Sequence, residues 1–393
     1  MFRLHLKIIT FLLIILFASC SKKTAEGEKE RKEEKEEGID KGTEKEKESE
    51  TAYRNPHLWP FAQTSIWNMP IGSNAEYVHA RLEYGSRMGL GRDEEFICMK
   101  PDAPLVNVYY SDAAWSTSKD RCVPSDRLLA TIPFPHDWII SSETWSGTTP
   151  NAGLAVLMPD GETIRQTQPF AHCQYGDVAT TNFFEKDVNI YGDGIRGSHG
   201  GSGLSTLGGT LRTYELTPTS GPIRHALKIS TYGSMNLYYD EETKGFRWPA
   251  RMADKNAARD YGKLRKGAPN KECRMGSLLA LPASMNIADL ELETEPAKMI
   301  AQALQDYGAY IVDDTAWDIF TLSIEWGPDG RFSDEFEKNW GFKLTHTANT
   351  PTKWSRDLEK IFMSLHVVAN NTQETPGGGG VPRRELAPAL KAR

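Results

Sequence analysis

The stretch Leu154–Gln168, LAVLMPDGETIRQTQ, reads as two extended segments joined by Pro159-Asp160-Gly161. Proline presets one turn residue and glycine accepts the positive φ, so the stretch predicts a β-hairpin. The same arrangement recurs in MNLYYDEETKGFRW, Met235–Trp248, with Lys244-Gly245 at the turn. TLRTYEL (Thr210–Leu216), IRHALKIS (Ile223–Ser230) and AYIVDDTAWDIFTLSIEW (Ala309–Trp326) continue the β pattern. Helical periodicity is confined to two late segments. Thr294–Gly308 places Ile300, Ala303, Leu304 and Tyr307 on one face, with Pro296 in its first turn and Gly308 just past its end. Trp354–Leu365 does the same with Leu358, Ile361, Phe362 and Leu365. Strands do not alternate with helices, which argues against a doubly wound α/β fold. The expectation is a mainly β protein, a β-sandwich or jelly roll with a few covering helices.

Upstream, Arg3 and Lys7 precede an apolar run from Ile8 to Phe17 that ends in Ala18-Ser19-Cys20. That layout predicts a signal peptide over residues 1–19, too short to span a bilayer comfortably. Phe17-Ala18-Ser19-Cys20 resembles a bacterial lipobox, which implies lipidation of Cys20, although Phe17 departs from the usual leucine. Residues 20–52 are dominated by Glu, Lys, Gly and Ser, too polar to fold, and read as a charged tether. A charged stretch after a lipidated cysteine resembles the surface-export signal of Bacteroidetes lipoproteins. Residues 53–393 then form a single β-rich catalytic or glycan-binding domain. The net charge of −7 shows no basic excess that would recruit nucleic acid. Cys98, Cys122, Cys173 and Cys273 allow three disulfide connectivities; proximity favours Cys98 with Cys122.

Gly192–Gly209, GDGIRGSHGGSGLSTLGG, admits three chemistries. Gly192-x-Gly194-x-x-Gly197 matches a dinucleotide fingerprint, but glycine rather than a helix follows it. HGGSG brings to mind the oxyanion loop and serine elbow of α/β-hydrolases, yet Gly-x-Ser-x-Gly is not met around Ser202. The remaining reading is a loop whose missing Cβ atoms, at Gly200 and Gly201 among others, let a ligand or another backbone lie close. His199 is its one group that titrates near neutral pH.

GGTLRTYEL (Gly208–Leu216) and GPIRHAL (Gly221–Leu227) resemble a block shared by secreted bacterial proteins, to which no activity attaches here. Strand alternation puts Arg212 and Tyr214 on one face, Glu215 on the other, and His225 inward with Leu227 and Ile229. Arg165, Gln166, Gln168, His172 and Tyr175 follow the first hairpin closely. A β-elimination on a uronic-acid polymer needs a cation or amide for the sugar carboxylate, a base and an acid. Expected catalytic groups are therefore His199, His225, His172, Tyr175, Arg212 and Tyr214, with Arg165, Gln168, Gly200, Gly201 and Glu215 binding substrate. Hydrolysis instead needs two converging carboxyls, available among Asp160, Asp193, Glu215, Asp313, Asp314 and Glu325, with Asp160 and Asp313 assigned to turns. Ten tryptophans and fourteen tyrosines leave rings to spare for sugar faces. The sequence points to no metal and leaves the cofactor open.

The composite expectation is a lipid-anchored protein of the outer membrane or cell surface that cleaves an extracellular polysaccharide, with lyase placed ahead of hydrolase. The alternatives are a non-catalytic glycan-binding lipoprotein and an envelope structural protein, and, for location, the periplasm or the medium. The membrane enters only through the lipid, and nucleic acid is not a partner.

Overall fold

The structure is a computed structural model that describes residues 53–84, 89–116, 118–140, 152–346 and 351–390. The signal peptide, Cys20 and the tether lie outside the described residues. Thr51–Arg393 is one compact unit. As expected it is mainly β with few helices. Its central sheet runs through ten strands in the order Tyr77–His79, His366–Val368, Leu278–Ala280, Ala309–Asp314, Leu227–Thr231, Phe320–Gly327, Leu90–Cys98, Leu154–Leu157, Thr163–Gln168 and Phe183–Phe184.

The pairing is mixed. Leu154–Leu157 and Thr163–Gln168 form the antiparallel hairpin read from the sequence, and Gly161 takes a φ of 71° at its turn. Leu227–Thr231 pairs in parallel with Ala309–Asp314, and Leu90–Cys98 pairs in parallel with both Phe320–Gly327 and Leu154–Leu157. These parallel ladders depart from the antiparallel pairing of a jelly roll. Ala309–Asp314 and Phe320–Gly327 are strands as expected, but Leu227–Thr231 lies between them.

One face of the sheet is covered by helices at one end and by a second sheet at the other. Helices Glu295–Asp306, Phe332–Trp340 and Lys353–Met363 pack on Leu227, Ile229, Ile311, Leu322 and Ile324. The first helix starts with Pro296 and stops where Gly308 turns to a φ of 77°. The last is opened by a reciprocal cap between Thr352 and Ser355, and Phe332–Trp340 was not foreseen. At the other end the strands Leu105–Tyr110, Leu128–Pro133 and Val178–Thr181 form a small sheet, whose Val106, Val108, Ile132 and Ala179 meet Phe96, Cys98, Leu154 and Val156.

The opposite face carries the glycine-rich loop. Trp67, fully buried, donates from Nε1 to the Gly194 carbonyl at 2.7 Å. A Cβ on Gly208 would lie 2.3 Å from that Nε1, and one on Gly197 would lie 2.5 Å from the Gln166 carboxamide oxygen. The glycines therefore let the loop lie against its own protein's core.

Two strand expectations are corrected. Thr210–Leu216 is a turn segment tied to the sheet by one bridge, Leu211 to Ile324, and its backbone turns where Glu215 Oε2 accepts from the Arg212 N–H. Met235–Trp248 holds no strand, although Lys244 and Gly245 both adopt positive φ at the anticipated turn. The disulfide joins Cys122 to Cys173 rather than to Cys98; Cys98 and Cys273 are buried free thiols. The bridge closes a 51-residue separation, so chain-entropy arguments give it about 4 kcal/mol. Cys122→Ser with Cys173→Ser should lower the denaturant midpoint accordingly, and an unchanged midpoint would show that the bridge contributes nothing.

Candidate functional site

The residue between the turns of the glycine-rich loop is the centre of the site. His199 N–H donates to the Leu204 carbonyl and Gly203 N–H to the His199 carbonyl, closing a tight hairpin with Gly201 and Gly203 at φ 67° and 68°. Gln166 clamps it, accepting from Thr206 N–H at 2.8 Å and donating to the Arg196 carbonyl at 3.1 Å. Ser198 Oγ bonds the Thr167 carbonyl and Thr206 Oγ1. The His199 ring is thereby held against the sheet, its side chain 3% exposed.

Strand alternation supplies the ring's partners. Asp93 and Glu95 point to the same face of Leu90–Cys98 as Ile97, whereas Phe96 and Cys98 point to the other. His199 Nε2 lies 3.0 Å from Asp93 Oδ2 and 3.0 Å from Glu95 Oε1. Lys228, fully buried on Leu227–Thr231, which Phe320–Gly327 separates from Leu90–Cys98, donates to Glu95 Oε1 at 2.8 Å and to the Ser205 and Thr206 carbonyls. Two carboxylates thus face one ammonium and one imidazole, and of the four Glu95, Lys228 and His199 are buried.

A β-bulge brings in the third acid. The ladder between Leu227–Thr231 and Ala309–Asp314 shifts register after Ile229, so that Asp313, not Val312, stands opposite Ser230. Asp313 Oδ2 comes to 3.7 Å from His199 Nδ1, and Nδ1–H also donates to the Gly200 carbonyl at 3.1 Å. A Cβ on Gly201 would stand 2.6 Å from Asp313 Oδ1, so glycine here is what admits the carboxyl. Asp93 and Asp313, at 29% and 26%, are the members of the cluster open to solvent.

The electrostatics split these carboxyls. Burial alone would strip His199 of its proton, but Glu95 and Asp93 overcome it and hold the imidazolium well above its ordinary range. Burial works against the charge of Asp93, yet its bond to His199, and His199 and Lys228 as cations, keep it below the usual carboxylate range. Asp313 goes the other way: burial, Asp254 and Asp93 push it well above 3.8. Asp254 is raised too, by burial first, and Asp314 is pushed up to about 7 by burial, then by Asp254 and Asp260 against the bond from Gly233 N–H. The carboxyl whose charge is favoured, Asp93, and the one whose proton is favoured, Asp313, therefore flank the same ring.

Among the described residues, Asp93, Glu95 and His199 also form the one group whose donor atoms converge as metal ligands would. A cation there would have to displace the Lys228 ammonium from Glu95 and the imidazolium proton from His199. The existing charge balance opposes that.

Of the residues singled out in the sequence, His199, Gly200 and Gly201 form this site, and Gln168 borders it, its amide atoms 3.5 and 3.7 Å from a Cβ built on Gly200. The others lie elsewhere. His172 is fully buried, its ring nitrogens 2.8 and 3.0 Å from the Trp138 and Gly176 carbonyls. Tyr175 is 75% exposed beside His136, and Arg165 pairs with Asp187. Arg212, Tyr214, Glu215 and His225 form a second group. Arg212 binds Glu325 through Nε at 2.9 Å and Nη2 at 3.3 Å, His225 Nε2 donates to Glu215 at 3.0 Å, and Tyr214 OH donates to the Leu58 carbonyl. Asp93, Glu95, Lys228 and Asp254 escaped the sequence reading, and Asp313 was assigned to a turn. The available signal was charge inside strands that end in apolar runs: Arg92 to Glu95 before Phe96-Ile97-Cys98 in LGRDEEFIC, and Lys228 between Leu227 and Ile229 in LKIST.

No protein-family model matches this chain, and neither a curated protein nor a solved structure shows significant similarity to it. The site must speak through its own geometry.

His199 and Asp313 both bind protons more tightly folded than unfolded. Their contributions to stability are present below the unfolded values of 6.5 and 3.8 and are lost as pH rises through the raised ones. These two groups should therefore pull thermal stability down as pH rises through their raised values, and Asp313→Asn should flatten that part of the profile. The His199 proton resonances should remain those of imidazolium through neutral pH and titrate lower in Asp93→Asn; a midpoint unmoved by that change would contradict the assignment.

Proposed function

We propose that this protein is a glycan-cleaving hydrolase in which Asp313 is the general acid and Asp93 the base or nucleophile. The observation that carries the reading is the pair of solvent-reached carboxyls on either side of the His199 ring, one favoured as the acid and one as the anion. Glycosidic hydrolysis asks for that division of labour. Asp313 would give its proton to the departing oxygen while Asp93 activates water or attacks the sugar carbon. His199 and Lys228 favour the anionic form of Asp93 against the burial that opposes it. The small sheet facing the Leu90–Cys98 end gives that part of the domain the character of a β-sandwich.

Hydrolysis is placed ahead of β-elimination for a specific reason. A lyase would meet the substrate's carboxylate with a cation or an amide, and the neighbouring cations are engaged, Lys228 with Glu95 and Arg196 and Arg251 with Glu185, which leaves only the Gln168 amide at the border of the site for that task. The protein would act at the cell surface or outer membrane on an extracellular polysaccharide, held by a lipid on Cys20.

Purified protein should release reducing ends from a member of a polysaccharide panel without generating the ultraviolet absorbance of unsaturated sugars. Asp313→Asn and Asp93→Asn should each lower turnover by about 10²- to 10⁴-fold while leaving the fold intact. The rate should follow a bell in pH, with Asp313→Asn removing the alkaline limb. Unsaturated products, or wild-type turnover in both variants, would refute the hydrolase. Separately, radiolabelled palmitate should mark the wild-type chain in cells and not Cys20→Ala; label in both would exclude the anchor.

A further inference from the structure

We infer that the cleft between residues 53–59 and 220–225 is a second binding site, for a carboxylate-bearing sugar unit. The cleft has a volume of about 400 Å³ and lies apart from the His199 cluster. That is the size of a small-molecule site. Leu58, Tyr214, Pro222 and Ile223 supply apolar wall, and Asn55, Ser220 and His225 supply polar atoms at its edge and floor. This mixture of flat apolar surface and scattered hydrogen-bonding groups suits a pyranose ring, which has both kinds of surface.

The charge decides which ring. Arg224 is exposed on the wall, its guanidinium 4.6 Å from the centroid of the Trp59 ring, and among the described residues it has no carboxylate partner. Arg54 is buried beside it, its guanidinium donating to the backbone carbonyls of Trp59, Pro60, Phe61 and Pro388, and burial lowers its pKa to about 10. The acid of the cleft, Glu215, is already committed to His225 and to the Arg212 N–H, and Arg212 is balanced by Glu325. Among the described residues, two arginine charges are left without an acid. Stacking on Trp59 fixes the Arg224 fork in place, and a fixed fork without an acid is suited to a carboxylate.

The segments that build the cleft include GPIRHAL and the TYEL of GGTLRTYEL, the block singled out in the sequence and unused by the catalytic reading. A uronate held here would anchor a mixed polysaccharide away from the place where it is cut. The inference rests on the cleft's own charge and shape and needs no turnover.

Isothermal titration of the full chain with trigalacturonate and with the neutral cellotriose tests it directly. Trigalacturonate should bind, with affinity falling as salt rises, and cellotriose should bind at least about tenfold more weakly. Arg224→Gln should weaken trigalacturonate binding about tenfold and Arg224→Glu should abolish it, while both variants keep the wild-type melting temperature because the side chain is exposed. Equal affinity for the two trisaccharides, binding of neither, or trigalacturonate binding unaffected by Arg224→Glu would overturn the assignment. Because the readout is heat of binding rather than product, a failed hydrolase assay and a failed cleft remain distinguishable.

Discussion

The contact on which the rest depends is the Lys228 ammonium against Glu95, with no solvent on the lysine side chain. Charges buried this deeply persist only when they are paired and their remaining hydrogen-bonding positions filled. Lys228 meets that condition with one carboxylate and two carbonyls, and the two carbonyls belong to the glycine-rich loop. The pair therefore fixes where Ser205 and Thr206 lie. With them it fixes the hairpin that presents His199.

The loop's glycines follow from the same constraint. Close packing leaves no room for Cβ at Gly197, against Gln166 and the loop's own backbone, or at Gly208, against the Trp67 ring, and at Gly201 a Cβ would push out the Asp313 carboxyl. Of the two neighbours the composition allowed, a ligand or another part of the chain, the glycines meet the second. The close approach is what brings Asp313, His199 and Asp93 together.

The fold divides the sheet's two faces by purpose. One face is apolar and covered by helices and the small sheet. The other is polar along a stripe that begins at Asp313, passes His199, Asp93, Glu95 and Lys228, and meets Glu325 where that residue pairs across from Glu95. Concentrating ionisable groups under one loop costs stability, as the raised Asp313 and Asp314 carboxyls show, and such costs are commonly borne at functional sites.

Local patterns in the sequence were enough for the Leu154–Gln168 hairpin, the two amphipathic helices and the β-rich class, because turn chemistry and periodicity act over a few residues. What tertiary structure alone decided was the company His199 keeps. Asp93, Lys228 and Asp313 are 106, 29 and 114 positions from it, taking the differences of their numbers with His199. Asp313 was assigned to a turn, but it lies in the strand Ala309–Asp314, where one bulge turns it away from the face of Ala309 and Ile311. The Cys122–Cys173 bridge was missed for a related reason, since proximity along the chain favoured Cys98 while the strand pairing brought a more distant cysteine into reach. Propensity is local, whereas strand order, register and bulges are set by which faces the whole chain must bury.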